Sequence, residues 1–295
     1  MKVLVTGAGG MLGTDMVLEL KRRGMEPIAL SHAELDVTRE ESVRAAFSEH
    51  RPDAVIHCAS YTAVDAAETD EERCRLVNTV GTRNVALSCR EFDCCMVYLS
   101  TDYVFDGNGK QPREVTEECH PLSVYGRTKY EGECEVRRLL KRYFIVRISW
   151  TFGLHGKNFV ETMLQLSKTR KKLCVVADQI GSPTFTRDVA ATLADMLQTE
   201  RYGCYHVTSE GTCSWYEFAC EIFKRTGKAV RVQPIRSEEY PAMAQRPKNS
   251  CLSKKSLDEN GFRRLPDWKN GLERYLSERE KSREKKAYDV RRMEQ

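Results

Sequence analysis

The chain has 295 residues, 41% of them hydrophobic, enough to bury a sizeable core in one large or two modest domains. Its 47 Lys and Arg against 43 Asp and Glu leave a net charge of only +4, which argues against a nucleic-acid footprint and leaves room for a small anionic substrate. The 12 cysteines are scattered without a CxxC pair, Cys94-Cys95 being the only close pair, so neither zinc spacing nor a secreted disulfide framework is indicated.

No apolar leader-like region precedes the first strand, and no run approaches the ~18 residues that span a bilayer, so the expected compartment is the cytoplasm and no membrane partner is expected. Val3-Leu4-Val5-Thr6 reads as a buried parallel strand, followed by Gly7-Ala8-Gly9-Gly10-Met11-Leu12-Gly13 and a helix over 14–23. Gly7, Gly10 and Gly13 in this position match the dinucleotide-binding arrangement, in which missing side chains let a pyrophosphate reach the helix N-terminus.

The second strand, Pro27-Ile28-Ala29-Leu30, ends in Ser31-His32, where NAD-selective proteins often carry an acid against the adenosine ribose. A 2′-phosphate is therefore permitted beside Ser31 and His32, and NADPH or NADH both stay open. Asp36-Val37 follows, its carboxylate placed either near the adenine amino group or as the cap of a helix over 38–49. Ala54-Val55-Ile56-His57-Cys58 is the third strand and delivers Ala59-Ser60-Tyr61 to the carboxyl edge, where open α/β sheets bind ligands; His57, inside it, reads as a satisfied core histidine.

Met96-Val97-Tyr98-Leu99 brings Ser100-Thr101-Asp102 to the same edge, and Phe144-Ile145-Val146-Arg147-Ile148 is a further strand ending at Ser149-Trp150. The expected fold class is α/β: a doubly wound parallel Rossmann sheet over 1–150 with a smaller C-terminal substrate-binding lobe over 151–276. In the lobe we expect a helix over 158–166, strands over 173–176 and 204–207, a loop over 178–183, helices over 188–197 and 215–225, and irregular chain through Pro234, Pro241 and Pro247. Residues 178–200 are expected to pack back onto the first domain, and 277–295 form a charged tail.

The chemistry centres on Tyr125-Gly126-Arg127-Thr128-Lys129, near the start of a helix over 123–140. A phenol and an ammonium four residues apart share one helix face, and a fixed cation beside a tyrosine titrating near ~10 favours its phenolate. By itself this spacing also suits a solvated helix; the glycine loop and Thr101 turn it toward proton transfer.

Together these features resemble the extended short-chain dehydrogenase/reductase superfamily. Thr62-Ala63-Val64-Asp65-Ala66-Ala67-Glu68, Ser100-Thr101-Asp102-Tyr103-Val104-Phe105, Asp178-Gln179-Ile180-Gly181-Ser182-Pro183-Thr184 and Arg246-Pro247-Lys248-Asn249-Ser250 are similar to the segments that mark its dTDP-4-dehydrorhamnose reductases. The resemblance implies reduction of a dTDP-linked keto sugar, with Tyr125 as proton donor, Lys129 holding the nicotinamide ribose and lowering the tyrosine pKa, and Thr101 bonding the same oxygen. Gly10, Met11, Leu12, Asp36, Val37, Ser60, Tyr61 and Thr62 match cofactor positions, and Val64, Asp65, Asp102, Tyr103 and Trp150 substrate positions; Arg246 is a further candidate, for the substrate diphosphate.

Some relatives dimerise around magnesium, so Mg2+ stays open without an evident ligand set, and a monomer or a homodimer is expected. The alternatives are another sugar-nucleotide epimerase or dehydratase, and a non-catalytic nucleotide-binding subunit resembling the methionine adenosyltransferase beta subunit. Dehydratases of the superfamily place an acid pair after the catalytic threonine, whereas here Asp102 is followed by Tyr103; the retained Thr101, Tyr125 and Lys129 weigh against the subunit reading.

Overall fold

Lys2–Thr6 (β1) is buried on both faces: Val3 and Val5 enter one hydrophobic core and Leu4 another. That pattern requires helices on each side of the sheet. The computed structural model describes residues 1–293, with side chains described through residue 284. After β1 come α1 (Met11–Arg22), β2 (Glu26–Leu30), α2 (Glu40–His50), β3 (Ala54–His57), α3 (Val64–Ala67), α4 (Glu71–Arg75), α5 (Gly81–Glu91), β4 (Cys95–Thr101), α6 (Val124–Leu139) and β5 (Tyr143–Ile148). The second half adds β6 (Thr151–Phe152), α7 (Phe159–Leu166), β7 (Lys172–Val176), β8 (Ile180–Gly181), β9 (Thr184–Phe185), α8 (Thr186–Met196), β10 (Gly203–His206), β11 (Cys213–Ser214), α9 (Trp215–Arg225), β12 (Arg231–Ile235), α10 (Lys255–Glu259) and α11 (Trp268–Met293).

The main sheet has six parallel strands in the order β10-β5-β4-β3-β1-β2. Its direction of winding reverses between β1 and β3, which opens a ligand crevice at their carboxyl ends. One face is covered by α1 and α8 through Met16, Leu20, Val189 and Leu193; the other by α2, α5 and α6 through Val43, Phe47, Val85 and Val136.

Three departures from the sequence expectation bear on the site. Gly203–His206, expected among the segments of the second lobe, is the edge strand of the main sheet, parallel to β5. Arg231–Ile235, expected as irregular chain, pairs with β7 in a separate two-stranded sheet, and a lone ladder of this kind tolerates Pro234. The segment between β3 and β4 carries α3, α4, a π-helical turn over Leu76–Val80 and α5, none of which the sequence periodicity announced. A third apolar core, rich in aromatics, is formed by Phe152, Phe185, Phe218, Trp268 and Tyr275. The charged tail is helical to Met293, and its last two residues lie outside the described residues.

Candidate active site

The start of α6 is fixed from two sides. Ser123 Oγ accepts from the Gly126 N–H at 3.1 Å and Glu68 accepts from the Val124 N–H at 2.9 Å, satisfying amides that the first helical turn leaves open. A Cβ on Gly126 would stand 2.2 Å from the Tyr103 carbonyl oxygen, so glycine is what allows α6 to close on the 3-10 turn Asp102–Val104. The Tyr125 and Tyr103 rings consequently meet edge to face with centroids 5.8 Å apart, and the Tyr125 phenol lies near the Thr101 hydroxyl. Thr101 Oγ1 donates to Asp102 Oδ1 at 2.9 Å and accepts from the Tyr103 N–H at 3.2 Å.

The electrostatics differ from the sequence expectation in one respect. Burial, then the charge of Asp102, pushes the Tyr125 phenol above its ordinary range, and the neighbouring Thr101 hydroxyl offsets this only in part. Lys129 is not among the groups that shift it: its Nζ lies 4.2 Å above the Tyr98 ring, and burial presses its own pKa down to about 7 against the opposing charge of Glu133. Burial, not a neighbouring cation, sets the direction of both shifts. Burial also pushes Asp102 up to about 6, with Oδ2 lacking a partner.

Behind this face lies a pair the sequence reading missed. Glu133, on α6 one turn beyond Lys129, receives Arg147 Nε and Nη2 at 2.8 Å each, Ser100 Oγ at 2.6 Å and Arg137 Nη2 at 2.8 Å. Its signal was present: an arginine inside the apolar run of β5 must find a buried anion.

On the cofactor side, Gly7 adopts φ 62° and Gly13 packs against its carbonyl, where a Cβ would come within 2.3 Å. Gly10 caps α1 without a side chain, and with Gly7 and Gly9 it lines a cleft of ≈ 630 Å³ that Asp36, Val37, Ser60 and Tyr61 also line. The glycine cradle thus fits a pyrophosphate. Helix α1 begins at Met11, earlier than expected, because the loop tightens through Gly10 N–H to Gly7 O at 2.9 Å. Asp36 Oδ1 accepts from the Thr38 N–H and hydroxyl at 3.0 and 2.7 Å, a local turn that ends before α2 starts.

Ser31 does not stand alone: its N–H and Oγ donate to Glu34 Oε2 at 2.8 and 2.7 Å, which returns an acid to the end of β2. Asn78, wholly buried in the π turn, accepts from Ser60 Oγ at 2.9 Å and the Tyr61 N–H at 2.8 Å, and donates to Thr128 Oγ1 at 3.2 Å. One amide therefore ties the cofactor loop to the tyrosine helix, a role that only an unexpected polar residue in a helical segment could have signalled. His57 is a core residue, held by Thr6 at 2.8 Å and Thr82 at 3.3 Å and pushed down to about 3 by burial. Thr62 is exposed.

On the substrate side, Val64 and Asp65 open α3. Asp65 takes a bidentate pair from Arg246, at 3.0 and 2.6 Å, and the Ala244 N–H at 3.0 Å, so Arg246 already has a carboxylate partner. Arg246 also lies near the Tyr103 hydroxyl, whose rise in pKa on burial it opposes, and lines a second cleft of ≈ 670 Å³ with Leu122, Tyr240 and Met243. Trp150, with φ 48°, stacks on Trp215 at 3.6 Å and covers Gly181. Its ring packs with Phe152, Phe218 and the aromatics around them, whereas Tyr125 packs against a different apolar cluster, with Ala67, Cys74 and Val124. For magnesium, no group of three or more His, Cys, Asp or Glu converges among the described residues.

Comparison with known proteins accords with this geometry. Residues 1–281 match the model of the RmlD substrate binding domain family. The chain is 41% identical over 278 residues to the spore coat polysaccharide biosynthesis protein SpsK of Bacillus subtilis, covering 94% of this chain and 98% of that protein. It is 39% identical over 284 residues to a dTDP-4-dehydrorhamnose reductase of Aggregatibacter actinomycetemcomitans, covering 92% and 97%. The solved dTDP-4-dehydrorhamnose reductase of Bacillus anthracis in complex with NADP superposes with a TM-score of 0.92 at 42% identity, covering 94% and 99%.

Proposed function

This chain belongs to the RmlD substrate binding domain family, and on that premise we propose that it is an NAD(P)H-dependent oxidoreductase reducing the 4-keto group of dTDP-4-dehydro-L-rhamnose to dTDP-L-rhamnose. The product would serve nucleotide-sugar and surface-polysaccharide biosynthesis. The observation that carries this reading is the convergence of Tyr125, Thr101 and Asp102 at the sheet edge beside a glycine cradle.

When bound, a reduced nicotinamide dinucleotide supplies the hydride. Gly7, Gly10, Met11, Leu12 and Gly13 would receive its pyrophosphate, Ser31, Asp36 and Val37 its adenosine end, and Ser60, Tyr61, Thr62 and Lys129 its nicotinamide half. As the carbonyl carbon is reduced, the C=O π pair moves to oxygen and takes the Tyr125 Oη proton, leaving a phenolate that solvent reprotonates. The raised pKa of Tyr125 keeps it proton-loaded until that oxygen becomes basic. Thr101 hydrogen-bonds the same oxygen, an interaction that strengthens as charge develops. Val64, Asp65, Asp102, Tyr103 and Trp150 would contact the sugar nucleotide, and Arg246 its diphosphate.

No helix among the described residues is long and apolar enough to cross a membrane, and we place the enzyme in the cytoplasm as a monomer or homodimer. The test is purified protein with NADPH or NADH and dTDP-4-dehydro-L-rhamnose: turnover should require the keto sugar, and Tyr125→Phe should lower kcat by at least about 100-fold with cofactor affinity nearly constant. Cofactor binding without turnover, or an unchanged rate in the Phe variant, sinks the assignment.

A further inference from the structure

Two buried carboxylate oxygens without a hydrogen-bond partner come from distant parts of the chain, Asp15 Oδ1 on α1 and Glu278 Oε2 on α11. One side chain stands between them. Arg187, in the first turn of α8, has Nε 3.7 Å from Asp15 Oδ1 and Nη1 2.8 Å from Glu278 Oε2. The Asp15 side chain is 0% exposed, and its other oxygen accepts from Thr186 Oγ1 at 2.5 Å. Three helices of the two halves of the chain thus meet on a single guanidinium.

Without the arginine, the donors left are two carboxylates and a hydroxyl, hard oxygen ligands of the kind that hold Mg2+ with water completing the shell. This is therefore the place to test the magnesium that the resemblance implies. The fit fails on charge: a divalent cation seated between these oxygens would lie within a few ångströms of Arg187, a repulsion the remaining donors would have to overcome. The arginine already does a cation's work. Burial raises the Asp15 pKa, and Thr186, Arg187 and His155 each act against that rise.

We propose that Arg187 is the built-in counter-cation of the Asp15–Glu278 pair, so that the protein needs no divalent metal and this pair becomes a magnesium site only when Arg187 is removed. The test is thermal unfolding of the full chain and of Arg187→Ala in EDTA and in millimolar MgCl2, at ionic strength matched with NaCl. The wild-type midpoint should agree within about 1 °C in the two conditions, whereas Arg187→Ala should unfold lower and recover by roughly 3 °C or more with magnesium. A wild-type midpoint that falls in EDTA and returns with magnesium overturns the proposal, and so does an Arg187→Ala protein blind to magnesium. Should Arg187→Ala not fold, Arg187→Gln is titrated in its place, and Arg187→Lys, which keeps the charge, must stay magnesium-insensitive. Because the readout is unfolding, its failure is separable from failure of the reductase assignment.

Discussion

Within α6 and β5, Glu133 and Arg147 meet at 2.8 Å with side chains 0% and 1% exposed; where α3 meets the segment before Pro247, Asp65 and Arg246 meet at 2.6 Å with 43% and 19% exposed. Both are bidentate pairs of the same chemistry. The first has no water to fall back on, so its partners are fixed, and it locks the strand ends carrying Ser100 and Arg147 to the helix carrying Tyr125 and Lys129. The second can exchange its carboxylate for water or for another anion at little cost, which is what a diphosphate-binding arginine at the mouth of a cleft requires. Burial, more than geometry, decides which pair is scaffold and which can handle substrate.

The sharpest way to break that contrast is to truncate one acid of each pair. Glu133→Ala leaves Arg147 buried and uncompensated and should destabilise the fold by about 3–5 kcal/mol, read by urea unfolding. Asp65→Ala should cost no more than about 1 kcal/mol by the same measurement, since Arg246, half-buried at the edge of an open cleft, is left within reach of water. Equal losses would mean that burial does not separate the two pairs. The functional half follows with Arg246→Ala, which should raise KM for the nucleotide sugar by about 10–100-fold while kcat changes by less than about threefold, the pattern of a ground-state contact to a charged group. A kcat loss equal to that of Tyr125→Phe would place Arg246 in the proton transfer instead.

These contrasts also show what could be read beforehand. The sheet, its glycine loop and the tyrosine helix were legible because they rest on local signals: apolar runs, a glycine loop after a strand, and a fixed spacing on one helix face. The pairings that were missed rest on contacts between distant residues. Asp65 and Arg246 were each singled out, but nothing local says that they meet. Asn78 sits in a π turn whose geometry comes from packing, and Gly203–His206 joins the main sheet because β5 offers a free edge, not because its own sequence differs from a lobe strand. Lys129 illustrates the remaining limit: spacing put it beside Tyr125, but the sign of each pKa came from burial.

Lys129 lies between the two pairs in kind, a buried cation with no hydrogen-bonded carboxylate, and its effect should be intermediate. With its pKa pressed down to about 7, the ammonium is lost as pH rises through neutrality. If dinucleotide binding needs that charge, kcat/KM for the reduced cofactor should fall about tenfold between roughly pH 6 and pH 8, and Lys129→Arg should flatten the descent. Stability moves the other way: between about pH 7 and the ordinary lysine value the unfolded chain binds the extra proton, so this residue's contribution to stability grows as pH rises. Subtracting the pH profile of Lys129→Met unfolding isolates it, and a difference that shrinks with rising pH would contradict the burial account.

Glu34 is the exposed extreme and should give the smallest effect. Its carboxylate, drawn below its usual range by the Ser31 hydroxyl and N–H, stands at the end of β2 where the adenosine ribose of a dinucleotide would lie. A 2′-phosphate there would meet a like charge, screened by solvent on all sides, so the penalty against NADPH should be modest. Glu34→Gln should therefore improve kcat/KM for NADPH by about two- to fivefold at low salt and leave NADH nearly unchanged, with the gain shrinking as salt is raised. If NADPH use instead falls in Glu34→Gln, the acid is orienting Ser31 toward the phosphate rather than repelling it, and an exposed charge would be acting through its hydrogen bonds and not through its field.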